Sequence, residues 1–140
     1  MELAKMIPAD GEGATHLIEI SVAGAETDEQ ARAIARTVGL SNLVKTAVYG
    51  NDPNWGRIVS AAGYAPAAVD PQRASLKLNG FELFRDGQPV PFDAAAASRS
   101  MQENPTTRIE LVVGNGPGRG THWTSDLTEE YVRFNSEYTT

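Results

Sequence analysis

Residues 50–57 read GNDPNWGR and combine helix-starting residues with groups that suit an anion. Asn51 or Asp52 can cap a helix, because a short side-chain oxygen accepts hydrogen bonds from free N–H groups. Pro53 suits the first helical turn, where its missing donor is no loss. The remaining N–H groups and the helix dipole then favour an anion or a carboxylate. An ordinary capped surface helix, anchored in the core by Trp55, is the alternative.

The polar residues of this segment are candidates to line a site. They are Asn51, Asp52, Asn54 and Arg57. Arg57 could neutralise a carboxylate there, although an ion pair on the helix surface explains an arginine at this position equally well.

A second candidate is an acidic turn near the start of the chain. Residues 10–15 read DGEGAT, so two glycines flank Glu12. Glycine lets the backbone approach closely and can hold one carboxylate in a tight turn. Such a carboxylate suits an ammonium group, because a charge-assisted hydrogen bond is both strong and directional. The alternative is an acidic turn on the surface.

The last residues offer further recognition groups. The amide of Asn135, the hydroxyl of Thr140 and a free α-carboxylate can all recognise an amino acid. Polar tails usually fray, so disorder is the alternative. A helix is expected to run into this tail, which argues for order.

The elements that must position these groups mix helices and strands. Apolar alternation, Gly/Pro breaks and caps give the pattern. Strands are expected over 17–22, 45–49, 75–78, 81–85 and 108–113, and a hairpin turn at Asp86 and Gly87. Helices are expected from Thr27 with Gln30 to Gly39, from Pro53 to 63, over 93–102, and over 126–134 with Thr124 or Ser125 as cap. This mixture predicts an α+β (mixed α/β) single domain over residues 1–140, with a mixed β-sheet packed with helices.

Composition excludes several classes of function. The 140 residues suffice for one domain with a core, and the net charge of −6 argues against nucleic acid or an anionic membrane as partner. The chain has no cysteine, so disulfides, thiolate metal sites and a cysteine nucleophile are excluded. With His16 and His122 as the only histidines, no metal site is expected. The glycine-rich residues 114–120 lack the lysine and the directly following helix of a phosphate loop, which indicates a loop or hairpin.

Three stretches together carry a resemblance to a known family. GNDPNWGR resembles a signature in the β chain of ornithine acetyltransferase, also called bifunctional glutamate N-acetyltransferase. DGEGAT and the ending over residues 126–140 agree with the same family, in its order and at about its spacing. The resemblance spans essentially the whole chain and is to the C-terminal part of the β chain. His16 departs from the lysine that many members carry, which we expect to be peripheral.

The resemblance implies a fold and a reaction. The fold would be the C-terminal part of the ornithine acetyltransferase (DmpA/ArgJ-like) fold. The family moves acetyl from N-acetylornithine to glutamate in arginine biosynthesis. A threonine at the N-terminus of the β chain, exposed by self-cleavage of a precursor, carries the acetyl group between the two steps. This is nucleophilic catalysis supported by oxyanion donors.

The resemblance also assigns residues and partners. The family's substrate-binding glutamate, asparagine and last threonine match Glu12, Asn135 and Thr140. No residue here matches the nucleophile or the cleavage segment, so we assign no catalytic residue to this chain and expect it to be inactive alone. The implied partners are the α chain and the rest of the β chain, in an α2β2 heterotetramer. No cofactor is implied, because the acetyl donor is itself an acetylated amino acid.

Three alternatives stay open at this point. The chain could be a binding module for an amino acid or a protein, or part of an acyltransferase with a different amine acceptor. A nucleotide-binding protein that uses the glycine loop is the third. The sequence does not decide between mono- and bifunctional activity. A cytoplasmic location is expected, as in bacterial members of the family.

Overall fold

The computed structural model describes residues 17–125, which form a mixed sheet and helices. The six strands are β1 (Leu17–Ala25), β2 (Ser75–Leu78), β3 (Phe81–Arg85), β4 (Gln88–Pro89), β5 (Thr106–Val112) and β6 (Gly118–Ser125). The four helices of this range are α1 (Asp28–Gly39), α2 (Asn42–Tyr49), α3 (Trp55–Gly63) and α4 (Ala94–Glu103).

The strand order across the sheet is β4-β3-β2-β5-β1-β6. β1 and β5 are parallel, and the other neighbouring pairs are antiparallel. The predicted mixed sheet with helices is therefore confirmed. The hairpin turn is also as expected, because Asp86 and Gly87 both have positive φ angles, 51° and 81°, as a two-residue hairpin turn requires.

The core forms because the strands alternate apolar and polar side chains. One face of the sheet contributes Ile18 and Ile20 of β1 and Ile109 of β5, all fully buried, to a single apolar cluster with residues of the helices. The opposite face, here called the polar face, carries Glu19 beside Arg108 across the parallel pair. Because side chains point alternately to the two faces of a strand, this pattern fixes the register of the pairing.

The first and last described residues lie side by side at one end of the sheet. Leu17 of β1 pairs with Ser125 of β6 and with Thr106 of β5. We call this the exit end. A Cβ added to Gly118 would meet the backbone of Thr27, and one added to Gly39 would meet His122. Helix α1 therefore runs alongside β6 and finishes towards the exit end.

The prediction of a strand at 45–49 was wrong. These residues belong to α2, which begins after Ser41, whose hydroxyl accepts a hydrogen bond from the N–H of Val44 at 3.3 Å. Val44, Ala47 and Val48 are buried at helical spacing. The valines and threonine of this segment favour a strand, but strand propensity is weak compared with packing. The cap and the buried stripe therefore decide for a helix.

The final strand, β6, was not predicted. Residues 118–120 were assigned to the glycine loop, and Thr124 or Ser125 was expected to cap a helix, yet all of them lie in β6. Glycines at alternate positions hid the strand pattern. The predicted helix over 126–134 lies outside the described residues. Between residues 17 and 125 no helix has the length and hydropathy needed to cross a membrane.

Candidate functional site

The GNDPNWGR segment does deliver the chain into a helix, but with a different cap from the one expected. Helix α3 is capped by Asn54, whose Oδ1 accepts a hydrogen bond from the N–H of Arg57 at 3.0 Å. The prediction that Asn51 or Asp52 caps the helix and that Pro53 lies in its first turn was wrong, because the turn extends further than expected. Pro53 precedes the cap instead.

The two residues before Pro53 shape the turn. Asn51 has a left-handed φ of 55°, a conformation that asparagine adopts more readily than most residues. Its carbonyl accepts a hydrogen bond from Ser98 of α4 at 2.7 Å, and its Oδ1 is buried with no hydrogen-bond partner. The exposed carboxylate of Asp52 accepts a hydrogen bond from the side-chain amide of Asn54 at 3.2 Å. The segment is thus tied both to α3 and to α4.

A cavity of about 610 Å³ lies where α1, α2 and α3 meet, and we call it the helix groove. Its lining includes Asn54 and Arg57 but neither Asn51 nor Asp52, so the structure separates the four candidates into two pairs. Its lining residues are Thr37, Leu40, Ser41, Leu43, Asn54, Gly56, Arg57, Ser60, Ala61 and Tyr64.

Arg57 has a structural contact in this groove. Its Nη1 donates a hydrogen bond to the carbonyl of Leu43 at 3.1 Å, which ties α3 to the start of α2. Within residues 17–125 the ion pairs are Asp70–Arg73 and Glu82–Arg85, so Arg57 faces no carboxylate of that range. Its remaining N–H donors are available to a group from outside.

A second cavity, of about 660 Å³, opens on the polar face of the sheet near the exit end. Glu19 and Ser21 of β1 lie beside Arg108 and Glu110 of β5 in its lining, together with Asn104. Such a set of carboxylates, hydroxyl, amide and guanidinium suits a zwitterionic ligand, since both charge signs are present. Trp123 of β6 borders this face, and its indole N–H donates a hydrogen bond to the carboxylate of Glu19 at 3.2 Å.

His122 is a candidate residue that sequence reasoning did not place. It lies on β6, opposite Ile20 of β1, where α1 finishes at Gly39. Burial lowers the pKa of His122, and the positive charges of Arg36 and Lys45 lower this pKa further. The imidazole is therefore neutral at neutral pH. The strand-favouring residues Thr121 and Trp123 on either side of His122 were the signal that could have revealed the strand.

The structure also bears on Trp55, on the glycine-rich residues 114–120 and on metal binding. Trp55 stacks on Phe84 of β3 with ring centroids 5.3 Å apart, so it packs against the core as expected. A Cβ added to Gly116 or Gly118 would overlap backbone atoms of the β1–α1 connection. These glycines are thus required by a close backbone approach, which explains their presence without a phosphate ligand. Within residues 17–125 no three His, Asp or Glu side chains cluster as metal ligands would.

The predicted substrate-binding residues lie outside the described range. Glu12 is five positions before Leu17, and Asn135 and Thr140 are ten and fifteen positions after Ser125. The two segments that carry them leave from paired residues of neighbouring strands at the exit end. Antiparallel partners have Cα atoms about 5 Å apart, so both segments start from nearly the same point.

Comparison with known proteins identifies the family. The model of the ArgJ family matches residues 1–140. The chain belongs to the ArgJ family. The arginine biosynthesis bifunctional protein ArgJ of Rhodopirellula baltica is 55% identical over 100% of this chain. The chloroplastic ArgJ of Citrullus lanatus is 49% identical over 99% of the chain.

A solved structure agrees with the fold. The crystal structure of the arginine biosynthesis bifunctional protein ArgJ from Bacillus halodurans matches with a TM-score of 0.90 at 39% identity, covering 98% of this chain and 64% of that chain. The resemblance to the ornithine acetyltransferase family is therefore confirmed, as is the fold class. The chain spans only 34% of the length of the Rhodopirellula baltica protein.

Proposed function

We propose that this chain is the substrate-binding part of an acetyltransferase that moves acetyl from N-acetylornithine to glutamate in arginine biosynthesis. The acyl carrier in this proposal is a threonine outside the chain. Its hydroxyl oxygen attacks the acetyl carbonyl, the amide C–N bond breaks, and ornithine leaves with the proton that the hydroxyl gave up. The amine of glutamate then attacks the ester, and the threonine oxygen takes back a proton.

Within this reaction the chain's own residues bind and orient amino acids. Glu12 pairs with the substrate ammonium group, because a carboxylate and an ammonium form a strong directional contact. Asn135 and Thr140 supply an amide and a hydroxyl to the same ligand. Orientation of two reactants can account for a large share of a rate enhancement, so loss of these contacts should lower the rate as well as affinity.

The pairing of Leu17 with Ser125 is the observation that carries the proposal. Glu12 can lie at most about 18 Å from Leu17, since an extended chain spans about 3.3–3.6 Å per residue. Asn135 starts from the neighbouring strand and has twice that number of residues available. A shared ligand at the exit end is therefore within reach of both segments. Asn51, Asp52, Asn54 and Arg57 line the approach to this site in the proposal.

The test is a hybrid enzyme in which residues 1–140 replace the matching third of the Rhodopirellula baltica protein. We expect the hybrid to transfer acetyl from N-acetylornithine to glutamate, and the isolated chain to show no transfer. Glu12→Gln should abolish most of the activity. The control is Glu29→Gln, an exposed glutamate in the first turn of α1, far from the exit end, which should leave activity unchanged.

The rival proposals give different results in the same experiment. A folded, assembled hybrid that binds amino acids but transfers no acetyl group would favour a binding module. Transfer to another amine, with glutamate rejected, would identify an acyltransferase with a different acceptor. Activity of the isolated chain would refute the assignment of the nucleophile to a segment outside it.

Partners and location follow from the same proposal. The chain would assemble with an α chain and the rest of a β chain as an α2β2 heterotetramer, with no cofactor. We propose a cytoplasmic location, although relatives of the chain include chloroplastic ArgJ proteins. Gel filtration of the hybrid with light scattering would measure the stoichiometry.

A further inference from the structure

The helix groove has an unusual surface for an acidic, polar chain. Leu40, Leu43 and Tyr64 line it with 56%, 62% and 83% of their surfaces exposed. Within residues 17–125 only two other large apolar side chains are exposed, Tyr49 and Val112. Exposed apolar surface that is gathered in one place marks an interaction site, whereas scattered apolar residues do not.

The groove also carries a positive charge. Among residues 17–125, Arg57 is the one charged residue that lines the groove, although the whole chain has a net charge of −6. Its guanidinium uses Nη1 to hold the carbonyl of Leu43, which fixes the side chain at the groove wall. A guanidinium has five N–H donors and matches a carboxylate in a paired geometry. The groove therefore suits an apolar segment that also presents a carboxylate.

The position of the groove indicates where such a segment comes from. Leu40 and Ser41 follow Gly39, where an added Cβ would meet the side chains of His122 and Ile20. The groove, beside the last turn of α1, thus lies towards the exit end. About two-thirds of the length of the Rhodopirellula baltica relative has no counterpart in this chain.

We propose that the helix groove is the docking surface for the rest of the enzyme, which inserts an apolar segment carrying a carboxylate between Leu43, Tyr64 and Arg57. This inference rests on the proposed function, since it assumes that the chain is one part of a larger acetyltransferase. Docking there would bring the part that carries the nucleophile to the exit end. It would also bury the three exposed apolar side chains.

Cysteine labelling tests this directly, because the chain has no cysteine of its own. Leu43→Cys and Tyr64→Cys are made in the isolated chain and in the hybrid enzyme, and the rate of maleimide labelling at each position is followed by peptide mass spectrometry. We expect each position to label at least about tenfold more slowly in the hybrid. Val112→Cys, an exposed apolar position on the polar face, is the control and should label equally in both.

Every other pattern of labelling overturns the proposal. Equal rates at both groove positions would show that the groove stays open in the hybrid. Slow labelling in the isolated chain at all protein concentrations would show that its own terminal residues cover the groove. Slow labelling that appears only at high concentration would identify a second copy of the chain. If Val112→Cys were slowed in the hybrid as much as the groove positions, the protection would not be specific to the groove.

A second measurement tests the carboxylate. In the hybrid that carries Tyr64→Cys, Arg57→Met should restore fast labelling, while Arg57→Lys should retain protection at least in part. Protection that survives Arg57→Met would overturn the ionic component. Labelling does not depend on acetyl transfer, so an inactive hybrid with a protected groove would contradict the proposed function and still support the docking surface.

Discussion

His122 is the residue whose chemistry depends most clearly on its surroundings. It lies on β6 against the end of α1, where burial, Arg36 and Lys45 all lower its pKa. A proton on this imidazole would be poorly hydrated and would face two positive charges. The folded chain therefore binds this proton less readily than the unfolded chain, in which the pKa is near its ordinary value of 6.5.

This difference predicts how stability depends on pH. Because the folded chain binds fewer protons, stability from this group is present above about pH 6.5 and is lost as the pH falls through the lower pKa of the folded state. One proton gives a slope of at most about 1.4 kcal/mol per pH unit. Urea unfolding between pH 7.5 and pH 5 should show this decline in the wild type and a shallower one in His122→Asn.

The second histidine provides the control for that measurement. His16→Asn should keep the decline that His122→Asn loses, provided that His122 is its source. Identical pH profiles for the wild type and His122→Asn would contradict the assignment.

At the scale of elements, the packing of α1 on β6 depends on glycine. A Cβ at Gly118 would overlap the backbone of Thr27, and one at Gly120 would lie 2.9 Å from the backbone nitrogen of Arg32. Neither neighbour is the end of a flexible side chain, so the helix or the strand would have to move. The glycines of residues 114–120 thus set the distance between helix and sheet.

Gly118→Ala should therefore destabilise the fold by about 1–3 kcal/mol, the usual cost of overpacking. Gly63→Ala is the matched control, because Gly63 ends α3 and a Cβ there would meet no atom within 4 Å. It should leave stability unchanged or raise it by up to about 1 kcal/mol, since alanine favours helices. Denaturant unfolding of both variants measures the difference. Equal midpoints would show that the close approach is not needed.

These same elements show how far the sequence predicts the fold. Local signals were sufficient for α1, where Thr27 caps the helix by accepting a hydrogen bond from the N–H of Gln30 at 3.1 Å. They also predicted β1 and the Asp86–Gly87 turn. The helix at 42–49 could not be recognised from residue propensity, because its valines favour a strand. It forms because residues at helical spacing are buried against the rest of the chain.

The site residues were predicted in a different way. The family resemblance located Glu12, Asn135 and Thr140, which the described residues do not test. The role of the glycines and the position of His122 depend on contacts between residues about ninety positions apart, such as Thr27 with Gly118. Contacts at that separation leave no local periodicity, so no sequence pattern could reveal them. The open groove beside Arg57 is likewise a product of three helices meeting.

At the scale of the whole molecule, the sheet brings together segments from opposite ends of the sequence. Leu17 and Ser125 are more than a hundred positions apart and yet pair directly. A binding site at the exit end can therefore use a turn from the start of the chain and a tail from its end. Such a site needs no further helix or strand to bring the two segments together, since both leave the same end of two adjacent strands.

This topology gives a distance prediction for the proposed site. In the hybrid enzyme, Glu12→Cys and Asn135→Cys should react with the two ends of one short bismaleimide, as detected by mass spectrometry of the joined peptides. Glu26→Cys is the control partner for Glu12→Cys, because residue 26 follows β1 at its far end, about 30 Å from Leu17 at 3.3 Å per residue.

The two outcomes have different consequences for the mechanism. A product between positions 12 and 135 without one between 12 and 26 would mean that the exit end brings both segments to one site in the assembled enzyme. If position 12 instead joined only position 26, the acidic turn would lie away from the exit end. Glu12 and Asn135 could then not hold the same amino acid, and the ammonium of glutamate would need a carboxylate such as Glu19 or Glu110 on the polar face.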